Sequence, residues 1–281
     1  MAGQGPMAEI LDIEKEKEYV KQNKINKKVK RGSKNKNKKE ISLNIFSANT
    51  AQLKGKLDSF KNEIKEVNAA IFTLQEVHFE RKGKFQLDNY EIFESIRKKA
   101  KGGTAIGVHK ALEPFLIQEY SEEFELLVVE VKIGNKEVRI ISGYGPQENW
   151  PAAARMPFFM ALEEEVVKAE LANKSIIIEL DANSKLGPAI IPGDKHQQSE
   201  NGRVLAGIIH RHSLVIGNSM KQCEGLITRR RVTKDKTEES TIDFILSSGD
   251  IVNHVEKIVI DEKREHVLTK LTKTKKWSEK S

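Results

Sequence analysis

The sequence predicts a mixed α/β fold of the α+β kind, a four-layer sandwich of two packed mixed β-sheets flanked by helices. Three observations predict it. Short apolar or alternating runs suited to strands recur from about residue 41 onward. Runs at helical spacing separate some of them and make strand–helix–strand passages. Others are joined by tight turns such as Gly134-Asn135, a strong hairpin signal. Sheets with both kinds of connection pack on one another and carry their helices outside.

The chain begins differently. Residues 9–20 mix apolar and charged positions and suit a short helix. From Lys21 to Lys39 there are ten Lys or Arg, no acid, no aromatic and no apolar periodicity, which is the composition of a disordered segment. The 281 residues carry a net charge of +7, so the basicity sits in this segment and the remainder is mildly acidic. Residues 1–39 are therefore expected to be a basic extension and 40–281 the folded domain. Such an extension attracts nucleic acid by counterion release or serves as a nuclear address; it also fits a solvated tail with no specific role.

The elements follow in order. Ile41 to Ser47 alternates as a half-buried strand and runs into Ala48-Asn49. Leu53, Leu57, Phe60, Ile64 and Val67 are spaced three and four apart, as on one face of a helix. Ala69 to Leu74 is a buried strand that ends in Gln75-Glu76, and strands are expected at Tyr90–Ser95 and Thr104–Val108. Phe124–Lys132 and Val138–Ser142 form the hairpin, and its second strand stops at Gly143-Tyr144-Gly145-Pro146. Arg155–Leu171 is the clearest helix. Ile176-Ile177-Ile178-Glu179-Leu180 is a buried strand that ends on Asp181, with Asn183 two residues on. A loop over 185–199 precedes a helix at Val204–His212. Short strands are expected at Leu214–Ile216, at Thr241–Leu246 with Asp243 inside, at Val255–Ile260 and at His266–Leu271.

Composition narrows the setting. No apolar run approaches the 18 or so residues of a membrane helix, and the N-terminus has no apolar signal core. The single cysteine, Cys223, leaves no disulfide framework, no disulfide-linked partner and no Cys-rich zinc site. The expectation is an intracellular monomer, nuclear or cytoplasmic and not secreted, with no membrane contact.

Polar residues at strand ends are the candidates for chemistry, because sites collect beyond strand ends in such sheets. An Asp leaving a buried strand can take a proton or orient a water. Asp181 and Asn183 also suit a plain Asx-turn. Asn49, Glu76, Tyr144, Asp181, Asn183 and Asp243 make the set. His196, His210, His212 and His254 have no partner spacing and read as ordinary residues.

The motifs Ser47-Ala48-Asn49, Leu74-Gln75-Glu76, Gly143-Tyr144-Gly145-Pro146, Asp181-Ala182-Asn183-Ser184 and Ser240 to Leu246 occur in an order that resembles the endonuclease/exonuclease/phosphatase superfamily. Ser142 to Trp150 and Ile227-Thr228-Arg229-Arg230-Arg231 look most like the endonuclease domain of LINE-type non-LTR retrotransposon polyproteins, which also carry a reverse transcriptase. The resemblance implies Mg²⁺-dependent phosphodiester hydrolysis of DNA, with Mn²⁺ as a substitute ion. It implies Glu76 as metal ligand with help from Asn49, and Asp181 orienting or deprotonating water. Asn183 and Tyr144 would donate to phosphoryl oxygens, and Asp243 would orient a catalytic His. Arg229, Arg230 and Arg231 would grip the DNA backbone, or form a solvated charge run; the same pair of readings holds for Lys98, Lys99 and Lys101.

One departure stands out. The family closes its catalytic set with Ser-Asp-His, and no Asp-His dipeptide occurs in this sequence. His266 in Arg264-Glu265-His266 is the nearest substitute. Three functions follow as expectations: an active endonuclease nicking target DNA for retrotransposition; a truncated, weak or inactive retroelement remnant that retains nucleic-acid binding; or a phosphatase on lipid or inositol phosphates.

Overall fold

The computed structural model describes residues 43–83, 85–96, 102–120, 124–232 and 236–262. The chain divides into two units, Met1–Ile41 and Ser42–Ser281. The basic extension, the Lys98–Lys101 group and the expected His266–Leu271 strand lie outside the described residues.

One sheet has four strands: β1 (Asn44–Asn49), β2 (Ala69–Gln75), β3 (Tyr90–Ser95) and β4 (Thr104–His109), in the order β1-β2-β4-β3. β1 and β2 are parallel because helix α1 (Leu57–Val67) crosses between them. The second sheet has six strands. β5 (Phe115–Tyr120), β6 (Glu125–Ile133) and β7 (Lys136–Tyr144) form a meander, and β8 (Ser175–Asp181) returns parallel to β7 through helix α2 (Ala152–Leu171). β13 (Asp243–Ser247) lies antiparallel to β8, and β9 (Val215–Ile216) closes the order β5-β6-β7-β8-β13-β9. Helix α3 (Glu200–Arg211) starts at Ser199, whose hydroxyl accepts from the Gly202 amide. Two small ribbons complete the structure: β10 (Cys223–Glu224) with β14 (Ile258–Val259), and β11 (Arg229–Val232) with β12 (Thr237–Ser240). A single helical turn, α4 (Gly249–Val252), precedes β14.

The period of two along each strand sorts side chains into layers. Phe72 and Leu74 of β2 pack with Phe60 and Ile64 of α1, while Ile71 faces the other way. Ile176, Ile178 and Leu180 of β8 join Phe158, Leu162 and Leu205 under α2 and α3, while Ile177 meets Ile71 and Ile140 between the sheets. The arrangement is the expected four-layer sandwich. Arg139, buried with Glu130 and Glu165, clamps α2 to the six-stranded sheet at 2.7 and 3.3 Å.

Several expected boundaries shift for physical reasons. Asp243 opens β13 rather than lying inside it, because the amides of Ile242 and Asp243 are taken by Thr228 Oγ1 at 3.0 and 3.1 Å. Of Val255–Ile260 only Ile258–Val259 pairs. Arg229 to Val232, read from sequence as a charge run, is a strand. Its cross-strand partners are Ser240, Glu239, Glu238 and Thr237, so charge complementarity replaces apolar alternation. The Phe115–Tyr120 strand had no sequence expectation at all.

Candidate active site

The same period of two builds the site. Asn49 ends β1 on the face turned toward the second sheet, as Ile45 and Ser47 do before it, while Phe46 and Ala48 pack against the α1 side. Tyr144 and Asp181 end β7 and β8 and stand opposite each other in register. Asp243 stands opposite Asp181 on the other side. Four strand ends from two sheets therefore converge on one cleft.

The Asn49 amide holds the halves together. Its Nδ2 donates to Glu76 Oε1 at 3.0 Å and to Asp181 Oδ2 at 2.8 Å, and its Oδ1 accepts from the Ala51 amide at 3.0 Å. The nitrogen thus faces the acids, and a cation at Glu76 would meet Asn49 through oxygen only after that amide turned over. Asp181 Oδ1 accepts from the Asn183 amide at 3.2 Å, the Asx-type turn. Asn183 Nδ2 donates to the Gly145 carbonyl at 2.9 Å. The Tyr144 phenol stands close enough to the Asn183 and Glu76 side chains for both to act on it.

Glu76 stands just past β2 at φ +52°, a left-handed conformation that disfavours a β-carbon. Its carbonyl accepts from Gln52 N at 2.8 Å and Thr50 Oγ1 at 3.0 Å, and the amides of Val77 and His78 are taken by Gly103 and Gly102. Backbone from two loops thus holds the strained turn and aims the carboxylate into the cleft. His78, also at positive φ, places Nε2 3.7 Å from Glu76 Oε2. Sequence reasoning passed over His78. A histidine two residues after a strand-end carboxylate was the signal that could have found it.

The arginines separate. Arg229 is close enough to act on both Asp181 and Asp243 through its charge. Arg230 lies on the other face of β11, bound to Glu239 at 2.7 Å and to the Glu262 carbonyl. Arg231 is exposed and stands opposite Glu238.

Charge is crowded here. Burial, then the neighbouring acids, pushes the Tyr144 phenol up to about 12, so it is a hydrogen-bond donor at neutral pH. Burial raises Asp181, against the pull of its bonds from Asn49 and Asn183. Asp243 is raised by burial and then by the charge of Asp181, with Thr228 and Arg229 opposing. A folded-state pKa above the ordinary 3.8 means that Asp243 binds more protons folded than unfolded. Stability is then greatest at acid pH and falls as pH rises through the raised value. Asp243→Asn should leave melting unchanged near pH 4 and raise stability by about 2 kcal/mol at pH 8, a Tm gain of roughly 4–8 °C. Melting curves of both proteins across this range test it, and equal slopes with pH would refute it.

Among the described residues, no group of three or more His, Cys, Asp or Glu is spaced to hold a metal ion by itself. A hydrated Mg²⁺ needs only one or two carboxylates. Glu76 fits that need, because its side chain is 26 % exposed beside the buried Asp181 and the half-buried Asp243, acids that repel one another. The donors are hard oxygens, which suits Mg²⁺ or Mn²⁺.

Residues 41–264 match the model of the Endonuclease/Exonuclease/phosphatase family. The endonuclease domain of TRAS1, a telomere-specific non-LTR retrotransposon, superposes with a TM-score of 0.58 at 21% identity, covering 75% of this chain and 88% of that one. A 3'-5' exonuclease (NExo) from Neisseria meningitidis gives 0.58 at 18% identity, covering 76% and 90%. An AP endonuclease from Leishmania major gives 0.57 at 11%, covering 74% and 79%. Craniofacial development protein 2 of Bos taurus is 25% identical over 203 residues, 68% of this chain, and the chain spans about a third (33%) of that relative's length. No helix among the described residues is long and apolar enough to cross a membrane.

Proposed function

This chain belongs to the endonuclease/exonuclease/phosphatase family, and on that premise we propose that it is a Mg²⁺-dependent DNA endonuclease that nicks target DNA for retrotransposition. The observation that carries the reading is the single Asn49 amide bonded to Glu76 and Asp181, which joins acids from both sheets in one cleft. The likeness to a retrotransposon endonuclease domain supports the substrate and the role, and a related Neisseria structure is bound to a product DNA hairpin.

Glu76, with the Asn49 oxygen after its turnover, would hold the ion, which when bound neutralises phosphate charge and stabilises the leaving oxygen. Asp181, raised above the ordinary carboxylate range, takes the proton from the attacking water as its oxygen bonds to phosphorus and the P–O bond to the leaving group breaks. Tyr144 and Asn183 donate to the non-bridging oxygens as charge builds on them. Arg229, whose charge reaches Asp181 and Asp243, lines the approach and meets backbone phosphates. His266, the candidate for the family's closing histidine, lies outside the described residues.

The test is supercoiled plasmid with Mg²⁺ or Mn²⁺, beside an Asp181→Ala control. Nicking that disappears in the control is the expected result. An intact plasmid at every divalent concentration, from a sample with a cooperative melt, would overturn the proposal. Hydrolysis of inositol or lipid phosphates under the same conditions would move the chemistry to small phosphate esters.

A further inference from the structure

A second polar layer lies one step below the site, between the sheets. Ser47 stands two residues before Asn49 on β1, Thr73 three before Glu76 on β2, Ser142 two before Tyr144 on β7 and Glu179 two before Asp181 on β8. Ser47 and Thr73 are partners in register, and so are Ser142 and Glu179. Hydrogen bonds then cross from sheet to sheet. Thr73 Oγ1 lies 2.6 Å from Glu179 Oε2 and 2.9 Å from Ser47 Oγ, so Thr73 links Ser47 on its own sheet to Glu179 on the other. Gln75 Nε2 donates to Ser142 Oγ at 3.2 Å.

Glu179 is the anomaly in this layer. It is 3% exposed, and among the described residues it has no ion-pair partner. Burial pushes its carboxyl up, and the two hydroxyls pull it only part of the way back. A carboxyl buried this way is costly, and the adjoining interior of Ile71, Ile140 and Ile177 shows that apolar side chains fill the same interface. Apolar contact is non-directional, so it keeps the sheets together without fixing how far one slides on the other. Hydrogen bonds of set length and angle do fix that offset.

We propose that Glu179, held across the sheet interface by Thr73 with Ser47 behind it, is a positioning residue that sets the offset of the two sheets. It thereby sets the spacing of Asn49 and Glu76 on one sheet against Tyr144 and Asp181 on the other. Two strand residues span about 7 Å, so slippage at Glu179 passes directly to Asp181. A misplacement of about 1 Å is enough to lower a rate on the order of a hundredfold. The role in catalysis rests on the phosphodiesterase reading of the cleft; the role in spacing does not.

The experiment therefore has a readout free of metal and substrate. The Asn49 side-chain amide resonances report the spacing, since its two acceptors come from different sheets. Glu179→Gln, which keeps an acceptor and a donor in the same volume, should leave these resonances in place and nick DNA within about threefold of the parent. Glu179→Leu should move them toward their positions in Asp181→Ala and lower kcat by about 10–100-fold, with KM little changed. Thr73→Val should act in the same direction, and it decides the matter if Glu179→Leu does not fold. Unmoved resonances in a folded Leu or Val variant would overturn the proposal, and so would moved resonances with parental nicking. A parent that cleaves no phosphodiester would sink the functional reading alone, and the resonances would still settle the spacing.

Discussion

Asp181→Asn should fold as the parent does and nick DNA about a thousandfold more slowly, with KM little changed. The substitution is nearly isosteric and removes the capacity to accept a proton. Its oxygen can still accept from the Asn183 amide as Asp181 Oδ1 does, so the turn survives. Its amide nitrogen, however, would face the Asn49 Nδ2 that now lies 2.8 Å from Asp181 Oδ2, two donors in one contact. The cleft also loses a charge, which relieves Asp243 beside it. Stability is therefore expected to hold at neutral pH while catalysis fails. Single-turnover nicking alongside melting curves tests the pair of outcomes. A variant that cuts within tenfold of the parent would remove Asp181 from the role of base.

Gly145→Ala is the second large effect, and it acts through backbone. A β-carbon there would lie 2.5 Å from the Ala182 carbonyl oxygen and 2.8 Å from its carbon. Neither atom belongs to a flexible side chain, so the two loops must part. Those loops carry Tyr144 on one side and Asp181 and Asn183 on the other. They are joined by Gly145 N to the Asp181 carbonyl at 2.7 Å and by Asn183 Nδ2 to the Gly145 carbonyl at 2.9 Å. The expected loss is about 2–4 kcal/mol of stability from overpacking and broken hydrogen bonds. Nicking should fall by at least tenfold at temperatures where the variant remains folded. Denaturant melts and nicking at 20 °C would check this, and parental values in both would show that the loops give way freely.

The strands that carry the site could be read from sequence because their burial is one-sided or complete. Ile176 to Ile178 with Leu180 behind them read as a buried strand, and β8 is buried along its length and ends on Asp181. The motif order brought Asn49, Glu76, Tyr144, Asp181, Asn183 and Asp243 into one set, and these residues do meet in one cleft. What stayed hidden depends on pairing rather than on pattern. Arg229 to Val232 has no apolar alternation, and only its partner Thr237–Ser240, with Glu239 opposite Arg230, makes it a strand. His78 follows a left-handed turn that loops from elsewhere hold in place. Glu179 sat in plain view within an apolar run. Its parity with Asp181 puts both on one face of β8, and that parity was the signal.

Parity also governs how such a chain can change over generations. Core and site alternate along β1, β7 and β8, so a one-residue deletion inside β8 would turn Asp181 toward the helices and send its isoleucines into the cleft. That lesion removes architecture and chemistry in one event. A base change at Asp181 removes the chemistry alone and leaves a protein that is still made and still folds. Lineages of this chain should therefore lose their reaction mainly by substitution, and a folded copy is no guarantee of a working one.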